Sequence, residues 1–272
     1  MKSLHLVCII LLGSIASVSF AQPGDHYRVV RVVGHVESSI LKREFKTEDI
    51  IPDGDKLKFK GKEDYLVIFH PRSGRKRIQG VPDEQPRELN LLLQSFLRPD
   101  HRSTGTRDVN TTYKDKLKAS LKDKVLMLGT CTIDLDPNLF PIKPPATIKA
   151  QYRVGNQSSV TITVLVDQTI HLDKKTLFPN ATSATPTVLL MYFLKESSSM
   201  LESEDFLGNF TPVYVEDTVI LPEVRTISES LKGSPADSVK KYVTQYLTQE
   251  YGKPQPINLE AWLKSHHLVP EP

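Results

Sequence analysis

Cysteine is nearly absent from this 272-residue chain, which has two, and tryptophan occurs once. Cys8 lies inside the N-terminal apolar run, which leaves Cys131 alone in the rest of the chain. No internal disulfide can then form, and stability must come from packed cores. Charge of one sign is also scarce. Thirty-five basic against 32 acidic residues give a net charge of +3, about +2 once Lys2 is removed with a leader. So small a balance argues against nucleic acid and against an anionic membrane as partner. Beyond the first 21 residues no apolar stretch approaches the roughly 20 residues that a bilayer span requires. No Gly-x-Ser-x-Gly, P-loop, dinucleotide fingerprint or His-Glu-x-x-His occurs, so the common nucleophile, phosphate, cofactor and zinc motifs are excluded. The composition, 39% hydrophobic and 25% charged, is that of an ordinary folded domain.

Residues 1–21 read as a removable export signal. Lys2 supplies the basic start, Leu4 to Leu12 the apolar stretch, and Ser19-Phe20-Ala21 a small-x-small site before Gln22. The mature chain is therefore expected to be exported, periplasmic or extracellular, without a membrane span.

Residues 22–97 read as a first β-domain. Tyr27–Val33 is rich in β-branched residues, Leu57-Lys58-Phe59 alternates, and Tyr65–Phe69 is an apolar run suited to a strand buried on both faces. Leu89, Leu92, Leu93, Phe96 and Leu97 form a helical stripe between Pro86 and Pro99, expected to cover this sheet. Residues 98–123 are polar and charged and read as a linker.

Residues 124–222 carry about seven short strand-like runs separated by turn clusters, the pattern of an Ig-like antiparallel sandwich. The runs are Val125–Leu128, Thr130–Leu135, Thr147–Val154, Val160–Val166, Thr169–Leu172, Val188–Leu194 and Val213–Leu221, with Gly208-Asn209 read as a turn. Residues 223–272 read as a helical tail packed on that sandwich. Ser234 is placed to cap a helix whose stripe is Val239, Tyr242, Val243, Tyr246 and Leu247, ending at Gly252 and Pro254. Asn258 is placed to cap a shorter helix with Leu259, Trp262 and Leu263 on one face. The expected fold class is thus mainly β: an N-terminal β-domain with one covering helix, then the sandwich, then a short helical tail.

Within the first domain, Gly34-His35-Val36, the polar stretch to Asp49, Gly54-Asp55-Lys56-Leu57, Tyr65–Phe69 and Ser73-Gly74-Arg75 resemble the small β-domain of FecR-like envelope proteins. The whole layout is similar to uncharacterised secreted proteins of Gram-negative bacteria. The resemblance implies an envelope location and no particular activity.

Few residues suggest chemistry. Asp53 with Asp55, and Asp134 with Asp136, are acid pairs two apart that would share a strand face, as calcium or glycoside chemistry can require. Both stand at turns, where aspartate satisfies its own backbone. His266-His267 is the one histidine pair, and adjacent helical residues diverge by about 100°, too far for one ion. Cys131 reads as a small buried strand residue. Asn110, Asn156, Asn180 and Asn209 begin Asn-x-Ser/Thr sites in linker or turn positions. Arg72, Arg75, Lys76 and Arg77 form a basic hairpin tip, the expected place for anion or partner binding. No metal and no cofactor is expected. The sequence points to an exported non-enzymatic binding or scaffold protein acting on another envelope protein or a surface ligand. Its alternative, resting on location, the acid pairs and His70, is a hydrolase of an envelope or extracellular polymer.

Overall fold

A computed structural model describes residues 26–80, 86–89, 92–93, 123–138, 142–143, 146–153, 159–166, 168–177, 188–194 and 206–269. Residues 1–21, expected to be an export signal, nearly all of the expected linker, Phe96 and Leu97 of the expected stripe, and Asn110, Asn156 and Asn180 lie outside them.

The β-branched and apolar runs near the N-terminus form two small sheets facing one another. Strands β1 (Arg28–Val33), β5 (Tyr65–His70) and β6 (Gly74–Gln79) make one. Strands β2 (Val36–Ser38), β3 (Arg43–Glu44), β4 (Lys56–Phe59) and β7 (Arg87–Glu88) make the other, in the order β3-β2-β4-β7. Between them lies a core that includes Val29, Val36, Phe45, Ile51, Leu57, Phe59, Leu66, Ile68 and Ile78. Leu89, Leu92 and Leu93 are helical and buried in it, so this part of the stripe covers the core. Gly34 is needed as glycine because its φ is +74° and a Cβ would overlap the Asp64 carboxylate.

The second block is a two-layer sandwich. One sheet runs β11-β10-β14-β15-β8-β16, the other β12-β13-β9. Its strands are β8 (Lys124–Met127), β9 (Thr130–Asp134), β10 (Thr147–Tyr152), β11 (Val160–Thr163), β12 (Leu165–Val166), β13 (Thr169–Asp173), β14 (Leu189–Leu194), β15 (Phe206–Tyr214) and β16 (Lys253–Pro254). A single turn, α1 (Lys174–Leu177), follows β13. Alternate residues such as Ile148, Ala150, Tyr152, Ile170, Leu172, Leu189 and Met191 fill the space between the layers. The run read as Val160–Val166 breaks at Val164, whose N–H donates to Ile148 while its carbonyl accepts from His171. One strand thereby passes from one sheet to the other. Most pairs are antiparallel, but β8 runs parallel to both β15 and β16.

Two readings of this block need correction. Gly208-Asn209 is not a turn but lies inside β15, with Asn209 opposite Leu190. Val213–Leu221 is not one strand: β15 ends at Tyr214 and helix α2 spans Asp217–Ser230. The β-branched density of Thr218, Val219 and Ile220 resembles a strand, and Pro222 resembles a stop. The spacing of Ile220, Val224 and Ile227 follows the helix period instead, and all three are fully buried.

The C-terminal part continues with α3 (Ala236–Glu250), then β16, then α4 (Pro256–Ser265). The expected stripe of α3 is the packed face. Gly252 lets the chain pass close to β8, since a Cβ there would fall 2.8 Å from the Lys124 carbonyl. Pro254 does more than end the helix, as it adds to the edge of β8. Asn258 is not a cap, because α4 already begins at Pro256. Its amide instead pairs with the edge of β9, accepting from Thr132 N–H at 3.0 Å and donating to Thr130 C=O at 3.2 Å.

The helices have two partners. Leu126 of β8 and Leu128 just after it face them from the sandwich, and Val30, Val67 and Phe69 from β1 and β5 face them from the first domain. Strands β5 and β8 are thus buried on both sides. Leu66 and Ile68 point into the first core while Val67 and Phe69 point into the helical core. Val125 and Met127 point into the sandwich, and Leu126 points the other way. Among the described residues no helix is long and apolar enough to cross a membrane.

Candidate functional site

Polar chemistry concentrates where the first domain meets the helices. Strand β1 carries a bulge: Val29 pairs with Ile68 and Arg31 with Val67, leaving Val30 as the extra residue. The bulge turns both Val30 and Arg31 toward the helices. Arg31 Nε lies 3.8 Å from Glu223 Oε1 on α2, and Nη1 lies 3.8 Å from Glu250 Oε2 on α3. Its guanidinium sits 4.8 Å from the centre of the Tyr251 ring. Both carboxylates are almost wholly buried, with 5% and 3% side-chain exposure. Tyr246 and Tyr251 donate to Glu223 Oε2 at 2.6 and 2.5 Å. Arg75 from β6 contacts Glu250 and donates to Gln249 Oε1 at 2.9 Å.

Burial pushes the Glu223 carboxyl above the usual carboxylate range, against the two tyrosine hydroxyls and Arg31, which pull it down. The Tyr246 and Tyr251 hydroxyls are raised by burial and by the neighbouring Glu223, so they remain donors. Two carboxylates and two guanidiniums therefore meet in a nearly dry seam. Such a cluster can fix orientation, since its opposite charges meet only when the elements that carry them are in place. Its carboxylates are buried, while the Arg31 and Arg75 side chains are each partly exposed.

The four basic residues of the hairpin tip have separate surroundings. Arg75 is taken up in the seam. Lys76 Nζ stands 5.7 Å from the Tyr27 ring centre, and the Arg77 guanidinium 3.7 Å from that of Tyr65. Arg72 lies exposed in the turn, where its N–H donates to His70 Nδ1 at 3.1 Å. Tyr27 also meets Ser73 Oγ at 3.1 Å and packs on the His70 ring at 4.9 Å.

The members of the first acid pair part, and those of the second each take a local partner. Asp55 is fully buried, accepting from Ser38 Oγ and from Ile40 N–H at 3.0 Å, whereas Asp53 is exposed near His26. Asp136 accepts from Asn138 N–H at 2.8 Å, a turn bond, and Asp134 accepts from Thr169 Oγ1. His266 caps α4, packs on Trp262 at 4.7 Å and lies 3.7 Å from Asp217. The Trp262 indole donates to the same Asp217 at 3.1 Å. Cys131 is buried in the sandwich, where burial raises its thiol to about 12. Among the described residues no three metal-ligating side chains converge. A shallow cleft of about 310 Å³ beside β2 and β4 holds Lys42, Lys58 and Glu37, with Arg43 already bidentate to Asp49 at 2.7 Å.

Sequence reasoning missed the seam. A trace existed: Arg31 interrupts Val29-Val30 and Val32-Val33, and Glu223 stands on the apolar face of its helix. Comparison with known protein families, curated proteins and solved structures found no match.

Proposed function

We propose that this chain is an exported, non-enzymatic binding or scaffold protein of the cell envelope, holding two β modules in fixed relation so that their edges and loops can engage a partner. The observation that carries the reading is the seam: Arg31 and Arg75 of the first domain meet Glu223 and Glu250 of the helices, which also pack on the second. Buried ion pairs of this kind contribute little net stability against apolar packing, and their best-attested use is to specify one arrangement. A fixed arrangement of two modules suits presentation of a composite surface. The N-terminal export pattern and the FecR-like resemblance of residues 34–75 support the envelope location.

The test is expression of the tagged full chain in an envelope-bearing host. N-terminal sequencing should find Gln22 at the start of the exported product. Affinity capture from envelope extract should recover a specific partner, retained at moderate salt. An uncut chain held inside the cell, or no specific partner at any salt, overturns the reading.

A further inference from the structure

The seam leaves the outer edge of β6 unused. In the order β1-β5-β6 this strand is an edge, paired on one side only, from Tyr65↔Gln79 to His70↔Gly74. Among the described residues no backbone hydrogen bond reaches its other side. Alternate residues of this six-residue strand therefore present outward donors and acceptors, a template for another strand.

The charges along that edge select what can add. Arg75 is committed to Glu250, but among the described residues Lys76 and Arg77 have no ion pair or side-chain hydrogen bond and lie against the rings of Tyr27 and Tyr65. They are consecutive, so one projects to each face of the sheet. A second β6 brought alongside would set like charges across the ladder, which is unfavourable. An acidic strand meets the opposite condition. Directly opposed residues share a face, so the two positions facing Lys76 and Arg77 are consecutive in the incoming segment.

We propose that the outer edge of β6 accepts an extended segment of a partner protein as an added strand, with two consecutive acidic residues of that segment facing Lys76 and Arg77. This rests on the binding role proposed above and names the chemistry of the partner. Main-chain bonds supply the attachment, and the two cations supply register and selectivity.

The probe is a labelled octapeptide of alternating threonine and valine with two central glutamates, titrated into the full chain and followed by fluorescence anisotropy. Two companions are used: one with central lysines, and one with proline at every second position, which keeps the charge but cannot complete a ladder. The acidic peptide should bind saturably below about 1 mM and slow amide exchange within Gly74–Gln79. Both companions should bind at least tenfold more weakly. The double variant K76E/R77E should lose the acidic peptide at least tenfold and gain the lysine peptide, a reversal that misfolding cannot produce. Equal binding of the proline peptide overturns the proposal in favour of plain attraction to polyanions, and absence of binding at millimolar peptide overturns it outright. A partner captured equally well by wild type and K76E/R77E leaves the binding role standing and removes β6 as its surface. Peptide binding by a chain that captures no envelope partner leaves the edge chemistry standing and removes the role.

Discussion

The helical layer is held to the second module and to the first by different means. Toward the sandwich the attachment is apolar and main-chain: Leu126 and Leu128 pack inward, β16 extends the sheet beside β8, and Asn258 pairs with the edge of β9. Toward the first domain it adds a buried ionic cluster to the apolar contact of Val30, Val67 and Phe69. Apolar contact is tolerant of small rotations, whereas the charges are paired only when both arginines and both glutamates are in place. The helices are close in sequence to β15, so their place on the sandwich needs little further specification. Arg31 and Arg75 of the first domain lie 192 and 148 residues before Glu223, and the charges can determine how that domain docks.

Substitutions on the two sides should behave differently. Leu126 is 1% exposed on a strand with packed layers on both faces, so the site cannot collapse. Leu126→Ala should cost about 4 kcal/mol in chemical denaturation, with little dependence on salt. Arg31→Ala leaves Glu223 and Glu250 short of a counter-charge. The expected cost is about 3 kcal/mol, at the lower end for a broken buried pair, because a quarter of the Arg31 side chain reaches solvent. If the two sides are held alike, combining Arg31→Met with Glu223→Leu should be worse than either alone. If the charges chiefly set orientation, the double variant recovers most of the loss while the first domain docks less uniquely, visible as broadened interface resonances.

How much of this was legible follows from the range of the forces. The first sheet, the strand run from Val125 to Leu194 and the stripe of α3 were readable because periodicity is local and each run carries its own signature. Tyr65–Phe69 even disclosed burial on both faces, though not what lay on the second. Helix α2 was not readable, since Thr218, Val219, Ile220 and Pro222 vote locally for strand and stop, and tertiary burial of Ile220, Val224 and Ile227 outvotes them. The commonest local use of an asparagine such as Asn258 is a helix cap, while the fold gives its amide to β9 from 126 residues away. The charged tip was visible as charge, but the division of Arg75 from Lys76 and Arg77 depends on Glu250, which only the fold brings near. Long-range pairing of unlike charges leaves no period in the sequence, and this is why the seam stayed hidden.

Acidity offers a smaller and sharper distinction between the two sides. Glu223 has its carboxyl raised by burial, so in the folded state it holds a proton more readily than in the unfolded state. Its contribution is therefore fully present below the ordinary glutamate value and is lost as pH rises through the folded one. The groups facing it are Arg31 from β1, Tyr246 from α3 and Tyr251 beyond it, none of which titrates in that window. Stability measured from pH 8 downward should rise relative to Glu223→Gln as pH falls toward the ordinary carboxylate range. Below that range the carboxylates held low by their partners, Asp49 by Arg43 and Glu260 by Lys240 and Lys264, should reverse the trend in both proteins. A wild type that loses stability relative to Glu223→Gln on mild acidification would mean that Arg31 outweighs desolvation in the seam.

The smallest effect tests the main-chain side. Asn258→Ala removes the acceptor for Thr132 N–H and the donor for Thr130 C=O, both on the part-exposed edge of β9. Water can replace each partner, so the cost should be about 1 kcal/mol. Its reach should also be short. Hydrogen exchange ought to quicken at Thr132 and in the first turn of α4, while the amides of β1 and β5 keep their protection, because nothing between Asn258 and the first domain depends on that bond. Loosening that spreads to β1 would show that the helical layer transmits disturbance from one module to the other, and that the two attachments, so different in chemistry, hold as one.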